Sequence, residues 1–278
     1  MQNNVKTIAF IGAGNMAQSL IGGLLAEGYP ADAIIASDPS DLGRTQVRAL
    51  GELRVTDDNI AAVQSADVVI LAVKPQVMSE VLAPIAATLV ERSPLLISIA
   101  AGISCDAIQR WLGDASLSIV RCMPNTPALM RVGASGLYAS KAVNEAQREL
   151  AEQLLRAVGV CCWIDSEEAI DAVTAISGSG PAYFFLFIEL MQNIAIDMGL
   201  SPDTARDLSL QTAFGAATMA LNSEVEVAEL RRRVTSPNGT TEAAIQTFIE
   251  GDIQQLFERA LGAAKERSIS LAKELSPQ

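Results

Sequence analysis

"VKTIAFIGAGNMAQSLIGGLL", residues 5–25, decides how the rest of the chain is read. Residues 5–11 are strand-like, "GAGNMA" follows at 12–17, and Met16, Leu20, Ile21, Leu24 and Leu25 recur at helical spacing. Strand, glycine turn and helix, in that order, form the context that a dinucleotide fingerprint requires. Gly12 permits the turn, and Gly14 lets a pyrophosphate approach the backbone. Ala17, in the third position, is small enough for the helix to sit close on a sheet. The plain alternative is a packing turn that holds no phosphate.

Working outward, the alternation continues. "AIIAS" (33–37), "VVILAV" (68–73), "LLISIAA" (95–101) and "LSIVRCM" (117–123) are continuous apolar runs, as parallel strands covered on both faces must be. "GLY" (136–138), an amphipathic helix over 144–157 and "GVCCWI" (159–164) complete the sheet. The fold class is α/β: an N-terminal Rossmann-type dinucleotide-binding domain over 1–164, then an all-helical C-terminal domain over 165–278. In the second part "EEAIDAVTAI" (167–176) is amphipathic, and "SGSG" (177–180) is expected to break the helix before Pro181 starts the next. That next segment is apolar nearly all round in its first half, so it calls for burial against a partner subunit or against other helices of the same chain. Helical patterns follow at 202–222 (Ser201 as cap), 224–233, 240–250 and 252–275. In "VTSPNGTTEAA" (234–244) Thr240 or Thr241 is expected to cap a helix whose free N–H groups also suit a carboxylate.

Composition narrows the class of function. Half of the 278 residues are apolar, 19% are charged and the net charge is −12, which suits a folded protein and argues against nucleic acid as a partner. With no histidine and with Cys105, Cys122, Cys161 and Cys162 outside any metal spacing, no metal site is expected. The first residues lack a signal peptide's basic start, and the most apolar stretch (181–198) carries Glu189, Gln192, Asn193 and Asp197. The expectation is a cytoplasmic protein with no membrane span. At the end of the second strand an acidic residue favours a free ribose 2′-hydroxyl, whereas a 2′-phosphate wants neutral donors or arginine. "ASDPS" offers Ser37 and then Asp38, so NAD and NADP both stay open.

"FIGAGNM" (10–16), "AVKP" (72–75), "SIAAG" (98–102), "RCMPNTPA" (121–128), "AVTAISGSGPAY" (172–183) and "VTSPNGTTEAA" (234–244) occur in that order. Together they make the chain resemble the pyrroline-5-carboxylate reductase family along its full length. The resemblance implies reduction of L-Δ1-pyrroline-5-carboxylate, a small molecule, to L-proline by NADPH or NADH, as the last step of proline biosynthesis. It also implies a homodimer through interlocked C-terminal helices, which some members assemble into a decamer. Residue by residue, it puts Gly12, Ala13, Gly14, Asn15 and Met16 at the pyrophosphate, and Ser37 and Asn59 at the adenosine end. Ala72, Val73, Lys74, Pro75, Ala100, Ala101 and Gly102 line the cofactor, with Asn125 near the nicotinamide. Ser236, Asn238, Gly239, Thr240 and Thr241 form the substrate turn, the Thr241 hydroxyl facing the substrate nitrogen as the one catalytic contact. Where the family pattern reads SPGGTT, Asn238 replaces the first glycine; asparagine tolerates a left-handed backbone best after glycine. Asp38 weakens the usual NADPH preference.

The chemistry fits a chain without histidine. An imine nitrogen takes its proton largely from solvent, so alignment of donor and acceptor and exclusion of water are the main tasks. Lys74 reads as a cofactor contact or a solvent-facing strand end, and Ser177 and Ser179 as a helix break or part of the nicotinamide pocket. Two rivals stand beside the reductase. A hydroxyacid-type dehydrogenase usually wants a lysine that "SGSGPAYFFLFIELM" lacks. An inert nucleotide-binding regulator would not need the serine and threonine loop at 235–241.

Overall fold

The computed structural model describes residues 5–275. Its sheet has eight strands: β1 (Ile8–Ile11), β2 (Ile34–Ser37), β3 (Arg54–Thr56), β4 (Val68–Leu71), β5 (Leu95–Ser98), β6 (Ile119–Met123), β7 (Gly133–Ala139) and β8 (Gly159–Trp163). Their order across the sheet is β3-β2-β1-β4-β5-β6-β7-β8. The first six are parallel, β7 runs antiparallel to β6, and β8 is parallel to β7. Seven of the eight follow the apolar runs of the sequence. β3 does not, because a three-residue edge strand with exposed Arg54 buries too little to leave an apolar run.

Helices α1 (Asn15–Ala26), α2 (Asp41–Arg48), α3 (Asn59–Gln64), α4 (Met78–Leu82), α5 (Ala86–Arg92), α6 (Cys105–Leu112) and α7 (Glu145–Arg156) accompany the strands. The strands alternate between two cores. Ile8, Phe10, Ile34, Val68, Ile70 and Ile97 pack with α1 and α7 on one face, while Ala9, Ile11, Ile35, Val69, Leu71 and Leu96 pack with α3 to α6 on the other. Both faces are covered, which explains why these strands lack the alternation of a half-exposed sheet.

After β8 come α8 (Ala169–Val173), a single π-turn (Thr174–Gly178), α9 (Gly180–Asp197), α10 (Pro202–Leu221), α11 (Val227–Arg233), α12 (Thr240–Glu250) and α13 (Ile253–Leu275). The helix break expected at 177–180 does not occur. The Ser179 amide donates to Thr174 O at 2.8 Å, a five-residue reach that absorbs the glycines without ending the helix. Ala169–Asp197 thus forms a 29-residue helical run, long and apolar enough by length and composition to cross a membrane. The polar residues noted in 181–198 do not take it out of that class.

Two compact units result: the chain to Ser179 together with the stretch from Ala264, and Gly180–Ala263. The division falls later than the change of pattern at 164/165, because 165–178 packs on the sheet. A Cβ on Gly136 of β7 would lie 2.6 Å from Val173, and Ser268 Oγ donates to Asp171 at 2.6 Å. In the second unit only Gly180, Ala205 and Ser209 are buried. Phe184 and Phe185 are 68% and 65% exposed, and Leu186, Leu190 and Met198 are exposed as well. Burial of this apolar surface within the same chain is therefore not what the fold does.

Candidate functional site

The glycine turn follows β1. Gly12 has φ +103°, and a Cβ there would stand 2.7 Å from the Ala72 carbonyl oxygen, so only glycine fits. Its amide donates to Ser37 O at 2.8 Å, which ties the turn to the end of β2. The Ala13 amide donates to Asp38 Oδ2 (2.8 Å), and Gln18 Nε2 donates to Ala13 O (2.8 Å). Gly14 is exposed with open space where a Cβ would stand, and it precedes α1 without capping it by a side chain. Asn15 and Met16 thus open a twelve-residue helix whose first amides face outward beside a backbone with no side chain in the way. Ala17 is buried in the core on that face. The residues fit a dinucleotide: a pyrophosphate needs free amides, a helix N-terminus and close backbone approach, and all three coincide here.

At the end of β2, Ser37 is 1% exposed and its hydroxyl donates to Asn59 Oδ1 at 2.7 Å. Asn59 is half-buried at the start of α3, held there by Asp58, which caps the helix through Ile60 N and Ala61 N. Asp38 turns its carboxylate onto the Ala13 and Ser40 amides, and Gly43 packs against that carboxylate. The acidic charge is thereby partly spent on the turn. Arg44, which the sequence reading passed over, donates to the carbonyls of Asp38 (2.7 Å) and Pro39 (3.0 Å) and pairs with Asp41. A basic residue six positions after Asp38 was the only signal for it.

The adjacent strands bring the other expected residues to the same sheet edge. Ala72 donates to Ile11 O at 2.8 Å. Ala72, Val73 and Pro75 are half-buried, while Lys74 is exposed. After β5, Ala100 is buried, Ala101 is exposed, and Gly102 (φ +74°) has Leu275 of α13 3.1 Å from where a Cβ would stand. After β6, Asn125 is buried: its Nδ2 donates to Ser177 O (3.0 Å) and its Oδ1 accepts from Ala134 N (2.9 Å).

A buried ion pair, unassigned from sequence, lies on the same strand. Arg121 meets Glu167 at 3.0 Å, and the same carboxylate oxygen accepts the Cys105 amide at 2.7 Å. Burial and the Glu167 charge push the Cys105 thiol well above its ordinary range, so it stays protonated.

The substrate-turn candidates lie in the second unit. Asn238 has φ +58°, the left-handed conformation expected of it. Gly239 donates to Ser236 O at 3.0 Å and caps α12 without a side chain. Thr240 and Thr241 are therefore the first residues inside the helix and not its cap. No side chain caps α12; Glu242, one turn in, reaches back to the Asn238 amide at 2.7 Å and ties down the turn ahead of the helix. A glutamate three residues after Gly239 was a legible signal for a bond back to this turn. Ser236, Asn238 and Thr240 are exposed, and Gly239 and Thr241 are half-buried. Arg232 and Arg233 both pair with Glu229, at 2.7 and 2.9 Å, so that one carboxylate offsets part of the local basic charge. The Tyr183 hydroxyl is buried and lacks a hydrogen-bond partner among the described residues.

A doubly covered, mostly parallel sheet with an uncapped helix start after its glycine turn, joined to a helical unit that exposes its apolar side chains, defines a dinucleotide-dependent oxidoreductase with a separate association unit. Comparison with known proteins makes the class specific. The family description "Pyrroline-5-carboxylate reductase dimerisation" matches residues 167–271, and "NADP oxidoreductase coenzyme F420-dependent" matches 7–102. A pyrroline-5-carboxylate reductase of Pseudomonas aeruginosa is 57% identical over 96% of this chain and 97% of its own length. One of Vibrio alginolyticus is 45% identical over 96% and 98%. Among solved structures, a pyrroline-5-carboxylate reductase from Coxiella burnetii superposes with TM-score 0.93 at 44% identity, covering 99% of this chain and 100% of that one. The Plasmodium falciparum pyrroline carboxylate reductase with NADP bound gives 0.83 at 28% identity, covering 98% and 99%. The chain belongs to the pyrroline-5-carboxylate reductase family.

Proposed function

We infer that this chain reduces L-Δ1-pyrroline-5-carboxylate to L-proline with NAD(P)H, the last step of proline biosynthesis. The observation that carries the reading is family identity over 96% of the chain together with a glycine turn that leads into a helix start with no side-chain cap, open to a pyrophosphate.

When bound, NAD(P)H supplies a hydride to the C5 carbon of the C=N bond. The chain's own residues bind, orient and exclude water. Gly12 and Ala13 shape the turn, Gly14, Asn15 and Met16 offer their backbone amides to the pyrophosphate, and Ser37 and Asn59 meet the adenosine ribose as a linked pair. Ala72 to Pro75 and Ala100 to Gly102 line the dinucleotide. NADPH is accepted ahead of NADH, because Asp38 commits its carboxylate to the Ala13 and Ser40 amides, while Arg44, held on the carbonyls of Asp38 and Pro39, places a cation at the end of β2.

On the substrate side, Ser236, Asn238, Gly239 and Thr240 hold the carboxylate against the uncapped start of α12. The Thr241 hydroxyl orients the ring nitrogen. A threonine hydroxyl is a weak acid, so the nitrogen takes its proton from water, and orientation supplies the rate. The protein acts in the cytoplasm as a homodimer that assembles further into a decamer, which light scattering would read directly. Thr241→Ala tests the site: turnover falls about tenfold or more while the cofactor Kd holds. Unchanged turnover retires that role. Absence of pyrroline-5-carboxylate-dependent oxidation of either cofactor by the parent protein retires the activity.

A further inference from the structure

The π-turn at 174–178 leaves one backbone group in difficulty. In a continuing helix the Ser177 carbonyl would accept from the amide four residues on, and that residue is Pro181, which has no N–H. The missing donor comes from the side chain of Asn125, whose Nδ2 lies 3.0 Å from Ser177 O. The other end of the same amide accepts from Ala134 N at 2.9 Å, so one buried side chain bonds two backbone groups of fixed polarity. A carbonyl on one side and an N–H on the other leave only one orientation of the amide.

Neighbouring contacts bring the same two stretches of chain together. Gly178 lies so close to Met123 that a Cβ would stand 2.6 Å from its methyl carbon. Arg121 and Glu167 join β6 to the start of the same segment. Those contacts set the approach of the two segments, and Asn125 sets the register of the loop between Met123 and Pro127. One N–H and one oxygen lone pair of Asn125 are thus committed inside the fold, which fixes the amide's orientation independently of any cofactor.

We propose that Asn125 is a positioning residue: it supplies to Ser177 the hydrogen bond that Pro181 cannot, and so fixes the 123–127 loop against the π-turn. This rests on the reductase reading in one respect, that the loop borders the nicotinamide. The amide then acts through the loop backbone and not by touching the cofactor.

The test is a cycle of Asn125→Asp, Pro181→Ala and the double variant in the full-length dimer. Aspartate keeps the shape and the acceptor for Ala134 but turns a carboxylate oxygen toward the Ser177 carbonyl. Expected for Asn125→Asp is a fall in kcat of roughly tenfold to a hundredfold with KM for NADPH held within about threefold, and a lower Tm. Adding Pro181→Ala returns an N–H to Ser177, so the double variant recovers part of both kcat and Tm. Three results overturn the proposal: kcat and Tm of Asn125→Asp within about twofold and about 1 °C of the parent, a rise in KM for NADPH as the main effect, or strictly additive losses in the double variant. If the parent shows no reductase activity, the reductase reading fails on that result alone. The Tm cycle then decides the Asn125–Ser177 link by the same additivity criterion.

Discussion

The sheet unit and the helical unit solve the same problem in opposite ways. The sheet places Ile8, Phe10, Ile70, Leu71 and Ile97 at 0–1% exposure between two layers of helices, so its stability comes from its own chain. The unit over Gly180–Ala263 stacks Phe187 on Phe257 at 5.7 Å but leaves Phe184, Phe185, Met198 and Leu208 in the open. Apolar surface on that scale is what a stable association buries. The dimerisation description over 167–271 assigns it to a second copy of the chain. One unit buries its own core; the other leaves its apolar face for assembly.

The sharpest way to break this contrast is to charge the exposed face. Phe184→Glu with Phe185→Glu should abolish the dimer in light scattering and cost more than about a hundredfold in activity, since each buried carboxylate lacks a partner. Trp111 and Trp163 both lie in the sheet unit, so their fluorescence should show that unit still folded. A dimer that persists, or a sheet unit that melts with it, breaks the comparison.

The reverse experiment attacks the sheet. Gly159 opens β8 at φ +145°, and a Cβ there would stand 2.0 Å from Gly133 O. Gly159→Ala should cost about 3 kcal/mol or more in denaturant unfolding followed by tryptophan fluorescence. A cost below about 1 kcal/mol would mean that the edge of the sheet contributes little.

A smaller effect is expected at the substrate turn. Asn238→Ala should cost about 1 kcal/mol through its left-handed backbone, and Asn238→Gly should be close to neutral in Tm. Equal losses from both would assign the cost to the amide side chain.

The smallest effect is in thiol chemistry, read with a disulfide reagent at pH 8. Cys162 is exposed and should react first. Burial pushes the Cys161 thiol up to about 11, so little thiolate forms at pH 8, and its rate should rise as pH climbs toward that value. Cys105 and Cys122 are buried, with thiols pushed well above the ordinary range, and should wait for unfolding. Early reaction of Cys122 would contradict a closed sheet core.

The sheet unit was the more legible of the two, because strand burial writes itself as apolar runs and the Gly12 turn as a fixed spacing. β3 escaped because it is short and half-exposed. The π-turn escaped because glycines and a proline read locally as a break, whereas Asn125, far away in sequence, supplies the bond that lets the helix continue. Asp38 could be named but not aimed, since its direction depends on the Ala13 and Ser40 amides. At 234–241 the left-handed Asn238 was readable from residue type. A threonine cap did not form because the cap position falls on Gly239, which has no side chain, while Glu242 reaches back past it to the Asn238 amide.

The most direct measurement is isotopic. Purified protein would be given pyrroline-5-carboxylate and NADPH carrying deuterium on the transferring face of C4, and the proline examined by mass spectrometry. Direct hydride transfer places one deuterium on C5 of L-proline for each NADPH consumed. Proline without the label, or cofactor oxidised with no proline formed, would contradict the reductase reading.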